Sequence, residues 1–267
     1  MVDRKRSADP SLVLLRPAGF GPASWAAVIE RFPGFTHIVS IDVPGHREVP
    51  GLTRDRELIG WLAEQVAQRV TALGLHRPHV VGHSLGGAVA LELARRVPVA
   101  AVTTLCAIGF HAPTHASMCA AKMRMMMLLA NAFGPEARDH LLSKAVVRRL
   151  LMSSLSAQPA ALKADVAAAD VASMIGSNLI ALTRYAGRYA VPPQEPLDTT
   201  PVNLVWADKD RVVPLSDSVR ARRQFPMASH LVIPGAGHLV MRDDPNGTAA
   251  VIHACHAQLL RAQRDIG

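Results

Sequence analysis

The sequence predicts an α/β fold: a doubly wound, mainly parallel sheet of about six strands that carries an inserted group of helices. Three observations lead to this prediction. The chain has 267 residues, of which 49% are hydrophobic, enough to bury the core of one large domain. Short apolar runs alternate with segments of helical period up to about residue 109 and again from about residue 199. Between these two parts only helical segments follow one another, which indicates an insertion.

The predicted strands are short apolar runs bounded by turn residues, a pattern typical of parallel strands that are buried on both faces. In chain order they are Leu12–Leu15, His37–Ile41, His79–Val81, Ala100–Cys106, Val202–Trp206 and Leu231–Ile233. Parallel neighbours must be joined by crossover connections, and these are usually helices. The sequence therefore predicts helices on both faces of the sheet.

Two of these helices have a clear apolar stripe. The first ends near Gly74, and its apolar residues recur every three or four positions: Leu58, Leu62, Val66, Val70 and Leu73. The second begins at Asp244 and Pro245, which suit an N-cap and a first helical position. Its apolar face consists of Val251, Ile252, Cys255, Leu259 and Leu260. We expect both helices to pack on the sheet.

The insertion, residues 110–198, is predicted to be a helical cap on a core formed by residues 1–109 and 199–267. Its helices are interrupted near Gly134-Pro135, Gln158-Pro159 and Val191-Pro192-Pro193. Seven of the ten methionines lie in it: Met118, Met123, Met125, Met126, Met127, Met152 and Met174. Such a concentration suits an adaptable apolar wall, and the alternative is ordinary packing of the cap onto the sheet.

The chain is basic, with 29 Lys and Arg against 21 Asp and Glu and a formal net charge of +8. The positive residues are spread along the chain and aromatic residues make up only 4%, so we predict no nucleic-acid partner. One alternative is a solvated surface rich in arginine. The other is a field that steers an acidic partner, such as a carrier protein that bears the substrate.

The cysteines and the apolar segments predict a cytoplasmic protein. Cys106, Cys119 and Cys255 are odd in number and irregularly spaced, which disfavours a disulfide framework. The apolar stretch Leu12–Leu15 is too short for a secretory signal. The run Val97–Phe110 falls short of the roughly 18 residues that a membrane span requires. We therefore predict no membrane span.

The strongest chemical motif is Gly82-His83-Ser84-Leu85-Gly86, which follows a buried strand and precedes a helix that begins with small residues. A G-x-S-x-G turn of this kind holds its serine in a strained conformation, and the glycines prevent clashes with the neighbouring strand and helix. The hydroxyl of Ser84 is then exposed at the carboxyl edge of the sheet. The start of the helix lends positive potential to a developing oxyanion.

A serine hydroxyl needs a base that a third group orients, and candidates for both occur later in the chain. Asp210 lies on the loop after the run Val202–Trp206, and we predict that it is the orienting acid. Asp208 is the neighbouring alternative. His238 lies on the glycine-rich loop after the last strand and is the predicted general base.

The other histidines are interpreted as surface or core residues. His83 adjoins the nucleophile, but a side chain next to the serine of a tight turn points elsewhere, so its alternative role is packing at the turn. No pair of His or Cys residues has the spacing of metal ligands on a common helix face, and we predict no metal.

With these motifs the chain resembles the α/β-hydrolase family over nearly its whole length. The resemblance depends on residues 82–87, on Asp210 and on Gly237-His238, which occur in the family's order of serine, acid and histidine. The segment Ile41–His46 is similar to the loop after the family's fourth strand. The resemblance implies a doubly wound sheet, a helical cap, and hydrolysis through an acyl-serine intermediate without a cofactor. Only some fifteen residues precede Arg16-Pro17, too few for the family's usual N-terminal hairpin, so we expect a sheet that is shortened at its N-terminus.

The resemblance also implies an oxyanion hole formed by the backbone N–H groups of Ala18 and Leu85. This chain departs from the family at Arg16-Pro17, where the family usually has His-Gly. Pro17 fixes its own φ and restricts Arg16 to extended conformations. The change either preserves the hole or shifts Ala18 out of line. Arg16 either caps the strand end or contacts an anionic substrate.

We expect a serine hydrolase that cleaves a carboxylic ester or a thioester of a small acyl substrate, which an acyl carrier could present. The substrate-binding residues are predicted to be Phe20, His83, Met123, Met126 and Met127. A carbon–carbon bond hydrolase or a cyclase-type biosynthetic enzyme with the same triad is the first alternative. An inactive binding protein of the same fold is the second.

Overall fold

The computed structural model of the protein describes residues 9–32, 37–43, 58–111, 121, 124–179, 182, 188–195 and 197–266. Its centre is one sheet of six parallel strands in the order β2-β1-β3-β4-β5-β6. The strands are β1 (Leu12–Leu15), β2 (Ile38–Ile41), β3 (His79–His83), β4 (Ala101–Leu105), β5 (Val202–Ala207) and β6 (Ser229–Ile233). The predicted fold class is confirmed, and every predicted apolar run overlaps a strand.

The strand order places a crevice at the carboxyl end of the sheet. The chain passes from β1 outward to β2 and then returns to β3 on the other side of β1, so the winding reverses beside β1. In open α/β sheets ligands bind outside the carboxyl ends of the strands at such a switch point. The register pairs Leu15 at the end of β1 with Gly82 in β3. The loop that begins at Arg16 therefore leaves the sheet next to the turn that carries Ser84.

The helices cover both faces of the sheet. In the core they are α1 (Ala26–Ile29), α2 (Leu58–Ala72), α3 (Leu85–Ala94), α8 (Ser218–Gln224), α9 (Val240–Asp243) and α10 (Pro245–Ile266). Short 3-10 turns cover Pro22–Trp25 and Leu215–Asp217. Helix α3 is buried along almost its whole length, because it packs against α2 on one side and against the strands on the other.

The apolar stripe of α2 is shorter than predicted. Leu58, Leu62, Val66 and Val70 are buried, but Leu73 is 40% exposed. The helix ends at Ala72, and Gly74 lies in the left-handed region with φ +65. The backbone turns away from the sheet at this C-terminal glycine, so Leu73 leaves the buried face.

Between residues 110 and 198 the elements that the structure describes are helices. They are α4 (residues 124–131), α5 (Pro135–Leu142), α6 (Ala145–Met152) and α7 (Ala164–Ile175). Their buried side chains form one apolar cluster that includes Met126, Met127, Met152 and Met174. Met118, Met123, Cys119 and residues 44–46 lie outside the described residues. The division of the chain into a core and an inserted cap stays a prediction.

Among the helices of the described ranges, none combines the length and the apolar composition that crossing a bilayer requires.

Candidate active site

Ser84 occupies a sharp turn between β3 and α3. Its backbone has φ 54 and ψ −115, which a residue with a side chain adopts only under strain. A Cβ added to Gly82 would collide with the carbonyl oxygen of Gly86, and one added to Gly86 would lie 2.5 Å from the carbonyl oxygen of Leu15. Both glycines are therefore required by close backbone contacts, as the G-x-S-x-G motif predicts.

The structure brings Ser84, His238 and Asp210 together. The Oγ of Ser84 lies 2.9 Å from Nε2 of His238, and Nδ1 of His238 lies 2.8 Å from Oδ2 of Asp210. A carboxylate can only accept, so Nδ1 carries the proton and Nε2 is the free base that faces the hydroxyl. Ser84 is 8% exposed and His238 is 4% exposed, so the proton path between them is shielded from bulk water.

The carboxylate of Asp210 is held in its ionised form. Burial alone would raise the pKa of Asp210, but the charge and hydrogen bond of His238 act against it. The other oxygen, Oδ1, accepts hydrogen bonds from the backbone N–H groups of Val212 at 2.7 Å and Val213 at 2.8 Å. Together these contacts lower the pKa of Asp210 below its ordinary value. The group is therefore a charged acceptor at neutral pH.

The carboxylate of Asp208, the alternative acid, binds other groups than His238. Its Oδ1 accepts a hydrogen bond of 2.6 Å from the backbone N–H of Gly235, and its Oδ2 is 3.6 Å from the ammonium group of Lys209. It thus ties the end of β5 to the loop after β6. Of the two carboxylates, the one in contact with the His238 ring is that of Asp210.

His83 is fully buried beneath the triad. Its Nε2 donates a hydrogen bond of 2.7 Å to the backbone carbonyl of His238, and the two rings are 4.9 Å apart. Burial, with a smaller effect from His238, lowers the pKa of His83 to about 3, so the ring is a neutral donor at physiological pH. The placement favours the packing alternative for His83 over a contact with substrate.

Cys106 is a buried neighbour of the triad that sequence reasoning did not assign to the site. It comes directly after β4 with a left-handed φ of 48, and its thiol donates a hydrogen bond to Asp210. Burial raises the pKa of this thiol well above its usual value, so it stays protonated.

The same thiol belongs to a possible ligand set. Potential metal ligands of His83, Cys106 and His238 lie within 4.8 Å of one another. Both ring nitrogens of His238 are already bonded, to Ser84 and to Asp210, and the thiol is protonated. The arrangement therefore favours proton transfer over metal binding.

The predicted oxyanion donors lie on adjoining segments. Leu85 is the first residue of α3, and Ala18 lies on the loop after β1. The close approach of Gly86 to the carbonyl groups of Leu15 and Arg16 brings these two segments into backbone contact. The start of α3 therefore faces the loop that carries Ala18. The N–H of Leu85 is in the first turn of the helix, where no earlier turn supplies an acceptor.

Arg16 fixes the loop that carries Ala18. Its side chain is buried, and Nη1 donates a hydrogen bond of 3.0 Å to the carbonyl oxygen of Phe20. Its Nη2 lies 3.1 Å from Oδ1 of Asp42, at the end of β2. These contacts favour the strand-capping alternative for Arg16 over contact with a substrate.

An apolar cluster adjoins the triad. Phe20, Met126 and Met127 are buried in it, and Leu239, the residue after the histidine of the triad, belongs to the same cluster. The structure thus brings three of the predicted substrate-binding residues together. Met123 lies outside the described residues.

The segment between α6 and α7 clamps the loop that carries His238. The backbone N–H of Leu239 donates a hydrogen bond of 2.8 Å to the carbonyl oxygen of Leu155. The carboxylate of Asp243 accepts from Ser156, from Ala157 N–H at 2.8 Å and from Gly237 N–H at 2.7 Å. The loop is therefore bound directly to the predicted cap.

A second contact strengthens this attachment. The guanidinium of Arg242 binds both carboxylate oxygens of Asp170, in α7, at 2.8 and 3.0 Å. Sequence reasoning missed Asp243, Arg242 and Asp170, because the contacts that they make between the base loop and the predicted cap join residues 72 to 87 positions apart and follow no local pattern.

The chain belongs to the alpha/beta hydrolase family, whose model matches residues 12–251. It is 26% identical over 236 residues to the dihydrolipoyllysine-residue acetyltransferase component of the acetoin cleaving system of Pseudomonas putida. That match covers 87% of this chain and 59% of the relative, so the chain spans little more than half of the relative's length.

Two solved enzymes have a similar fold. The first is a thermophilic esterase from Thermogutta terrifontis, with a TM-score of 0.69, 16% identity and coverage of 94% of this chain and 90% of the esterase. The second is a 2-hydroxy-6-oxo-6-phenylhexa-2,4-dienoate hydrolase from Rhodococcus, with a TM-score of 0.69, 20% identity and coverage of 92% and 90%. At these identities the likeness concerns the fold.

Proposed function

We propose that this protein is a serine hydrolase that cleaves a carboxylic ester or a thioester through an acyl-serine intermediate. The observation that carries the proposal is the continuous path from Ser84 through His238 to Asp210, with heavy-atom distances of 2.9 and 2.8 Å. Both lie within the reach that a nucleophile, a base and an orienting acid require. Membership of the alpha/beta hydrolase family supports the general class.

In the proposed mechanism, Oγ of Ser84 attacks the acyl carbonyl while Nε2 of His238 takes its proton. The imidazolium that forms is stabilised by the Asp210 carboxylate, which stays ionised. His238 then gives the proton to the leaving oxygen or sulfur, and the C–O or C–S bond breaks. Water repeats the sequence on the acyl-serine, which returns Ser84 and releases the carboxylic acid.

The charge that develops on the carbonyl oxygen is assigned to the N–H groups of Ala18 and Leu85. The contact of α3 with the end of β1 supports this assignment, since it brings the two donor segments together. The N-terminal end of α3 adds positive potential at the same place. Loss of one such donor typically lowers the rate about 10²- to 10³-fold.

The acyl part of the substrate is proposed to lie against Phe20, Met126 and Met127. Burial of apolar surface there is worth about 25 cal/mol per Å², so an apolar acyl chain binds more tightly than a polar one. The net charge of +8 favours an acidic partner, and an acyl carrier protein is the proposed one. The name of the Pseudomonas putida relative couples an acetyltransferase with a dihydrolipoyllysine residue, which supports a carrier-linked thioester.

The cellular location is proposed to be the cytoplasm. Cys106 and Cys255 are buried free thiols, which suits a reducing compartment.

A labelling experiment tests the mechanism. We expect a fluorophosphonate probe to modify the wild-type protein at Ser84, and we expect no labelling of Ser84→Ala and little of His238→Ala. Asp210→Asn should lower the rate of ester cleavage about 10⁴-fold, since it stabilises the wrong tautomer of the histidine. The matched control is Asp208→Asn, which alters a neighbouring carboxylate that does not contact His238 and should keep most activity.

Two results would contradict the proposal. Equal labelling of the wild type and of Ser84→Ala would remove Ser84 from the mechanism. If the folded wild type neither reacts with the probe nor cleaves any ester, the result would instead support the alternative that the protein is an inactive binding protein of the same fold.

Carbon–carbon bond cleavage is the second candidate, because the Rhodococcus dienoate hydrolase is as similar in fold as the esterase. The two functions are separated by comparing simple aryl esters with a vinylogous diketo acid. A carbon–carbon hydrolase should be slow on the esters and fast on the diketo acid. If thioesters are turned over faster than the aryl esters and the diketo acid, the result would favour the ester or thioester hydrolase proposed above.

A further inference from the structure

A cavity lies apart from the triad, where the segment between α6 and α7 meets the loop after β5. Its volume is about 410 Å³, which lies within the range of small-molecule sites. Its walls are Ser153 and residues 156–161, with Arg149 from α6 and Arg211 from the loop after β5. None of these lining residues is acidic. The two guanidinium groups therefore set the electrostatic potential of the cavity.

The wall formed by residues 153–161 is fixed by hydrogen bonds. From one side, Arg148 donates to the carbonyl oxygen of Ala160 at 3.1 Å and to carbonyl groups at the end of α5. From the other side, the carboxylate of Asp243 holds the side chain of Ser156 and the N–H of Ala157. A cavity whose wall is already ordered loses little conformational entropy when a ligand binds.

The two arginines are placed to bind an anion. Arg149 is exposed on α6 and forms no ion pair with any residue of the described ranges. Nη1 of Arg211 donates a hydrogen bond of 3.0 Å to the carbonyl oxygen of Ser153, which fixes this guanidinium at the cavity wall. Asp243, behind the wall, already accepts three hydrogen bonds. Planar guanidinium groups match phosphate oxygens with paired N–H donors.

We propose that this cavity binds a phosphate group between Arg149 and Arg211. The phosphate has two possible sources: free inorganic phosphate, or a phosphate on the leaving group of the substrate, which rests on the function proposed above. The position suits either source, because Arg211 directly follows Asp210 in the chain. Asp243, which holds the cavity wall, also holds Gly237, the residue before His238. A bound phosphate would thus contact the residue after the acid, and a wall that Asp243 joins to the residue before the base.

Calorimetry tests the site. The protein is titrated with inorganic phosphate at constant ionic strength, in a buffer that itself contains no phosphate. We expect saturable binding that is weakened about tenfold or more by Arg149→Gln and by Arg211→Gln, because each variant removes a charged hydrogen-bond donor. The matched control is Arg223→Gln on α8, which alters an exposed arginine outside the cavity and should bind as the wild type does. Absence of saturable binding in the wild type, or equal weakening by all three variants, would overturn the proposal.

A second measurement distinguishes the sources. Two thioesters with the same acyl group are compared, one with a phosphorylated thiol and one without the phosphate. If the leaving group carries the phosphate, Arg149→Gln and Arg211→Gln should raise KM for the phosphorylated thioester alone, and inorganic phosphate should compete with it. Equal effects on both thioesters, with phosphate binding intact, assign the site to free phosphate.

The calorimetric titration is repeated on Ser84→Ala, which cannot hydrolyse substrate in the proposed mechanism. Binding of phosphate to Ser84→Ala as to the wild type would support the site whatever the reaction is. The two proposals therefore fail separately, since loss of phosphate binding leaves the Ser84 labelling result unaffected.

Discussion

The turn that carries Ser84 and the loop that carries His238 are positioned in different ways. Residues 82–87 are packed through close backbone contacts, in which glycines approach the carbonyl groups of Leu15, Arg16 and Gly86. Residues 234–243 are held by hydrogen bonds from distant side chains and backbone: His83 and Asp208 on the core side, and the segment 155–157 on the predicted cap side. The packing of the nucleophile turn is thus indicated by its own glycine motif, whereas the base is positioned by hydrogen bonds that no local motif indicates.

The largest effect is expected from Gly86→Ala. The added methyl group would lie 2.5 Å from the carbonyl oxygen of Leu15, and neither backbone can move without disturbing the sheet. We expect a loss of about 3 kcal/mol or more in the free energy of unfolding, together with loss of Ser84 labelling. Urea denaturation and probe labelling measure the two effects.

The control is Gly134→Ala, where an added Cβ meets no atom within 4 Å. It should cost less than about 1 kcal/mol. Similar costs for the two variants would mean that close packing does not position the nucleophile.

Asp243→Asn tests the cap side of the base loop. The N–H groups of Ala157 and Gly237 both donate to Oδ2, and the hydroxyl of Ser156 donates to Oδ1. The amide oxygen can keep the two backbone bonds but without their charge assistance, and the amide NH₂ replaces the oxygen that accepts from Ser156. We expect about 2 kcal/mol lower stability and about tenfold lower kcat for ester cleavage. The measurements are thermal unfolding and steady-state kinetics.

Asp244→Asn is its matched control. Asp244 accepts from Gly247 N–H at 2.8 Å at the start of α10, and asparagine caps a helix equally well. Unchanged kcat in Asp243→Asn would show that the cap contact does not orient His238.

Acid should destabilise the protein through buried neutral histidines. Burial lowers the pKa of His79 and of His83 to about 3, against an ordinary value of 6.5 in the unfolded chain. Between these values the unfolded state binds more protons, so stability falls as the pH falls from 6.5 towards 3. Each histidine should remove about 2 kcal/mol at about pH 5 relative to neutral pH. Urea denaturation as a function of pH measures this, and His83→Phe should have a shallower dependence than the wild type.

His83→Phe tests the core side of the base loop and has the smallest expected effect. The ring volume is kept, but the carbonyl oxygen of His238 loses its donor, which costs about 1 kcal/mol. We expect a lower kcat with little change in KM. His230→Phe removes a similar hydrogen bond, to Phe225 at the far edge of the sheet, and should leave kcat unchanged. Equal kcat values in the two variants would assign His83 a packing role only.

Much of the fold and site could be predicted from local sequence. The six apolar runs predicted the six strands, and the glycines around Ser84 predicted a turn that tolerates no side chain at those positions. Asp210 was the predicted acid, but local sequence could not exclude Asp208, because both lie on one short loop and differ only in the direction in which their side chains point. The prediction that Leu73 belongs to the buried stripe of α2 was wrong. The backbone beyond the last turn of a helix sets the direction in which the chain leaves it, and here that turn is at Gly74.

The sequence by itself determined the parallel sheet, the strained serine turn and the order of the three site residues, because each depends on short-range periodicity or on backbone sterics. Only the tertiary structure decided which carboxylate faces His238 and how Asp243 attaches the base loop to the segment between α6 and α7. It also decided that Arg149 and Arg211 line the same cavity. These contacts join residues that are far apart in the chain. Their geometry is set by the packing of whole helices and strands, so local sequence patterns do not predict it.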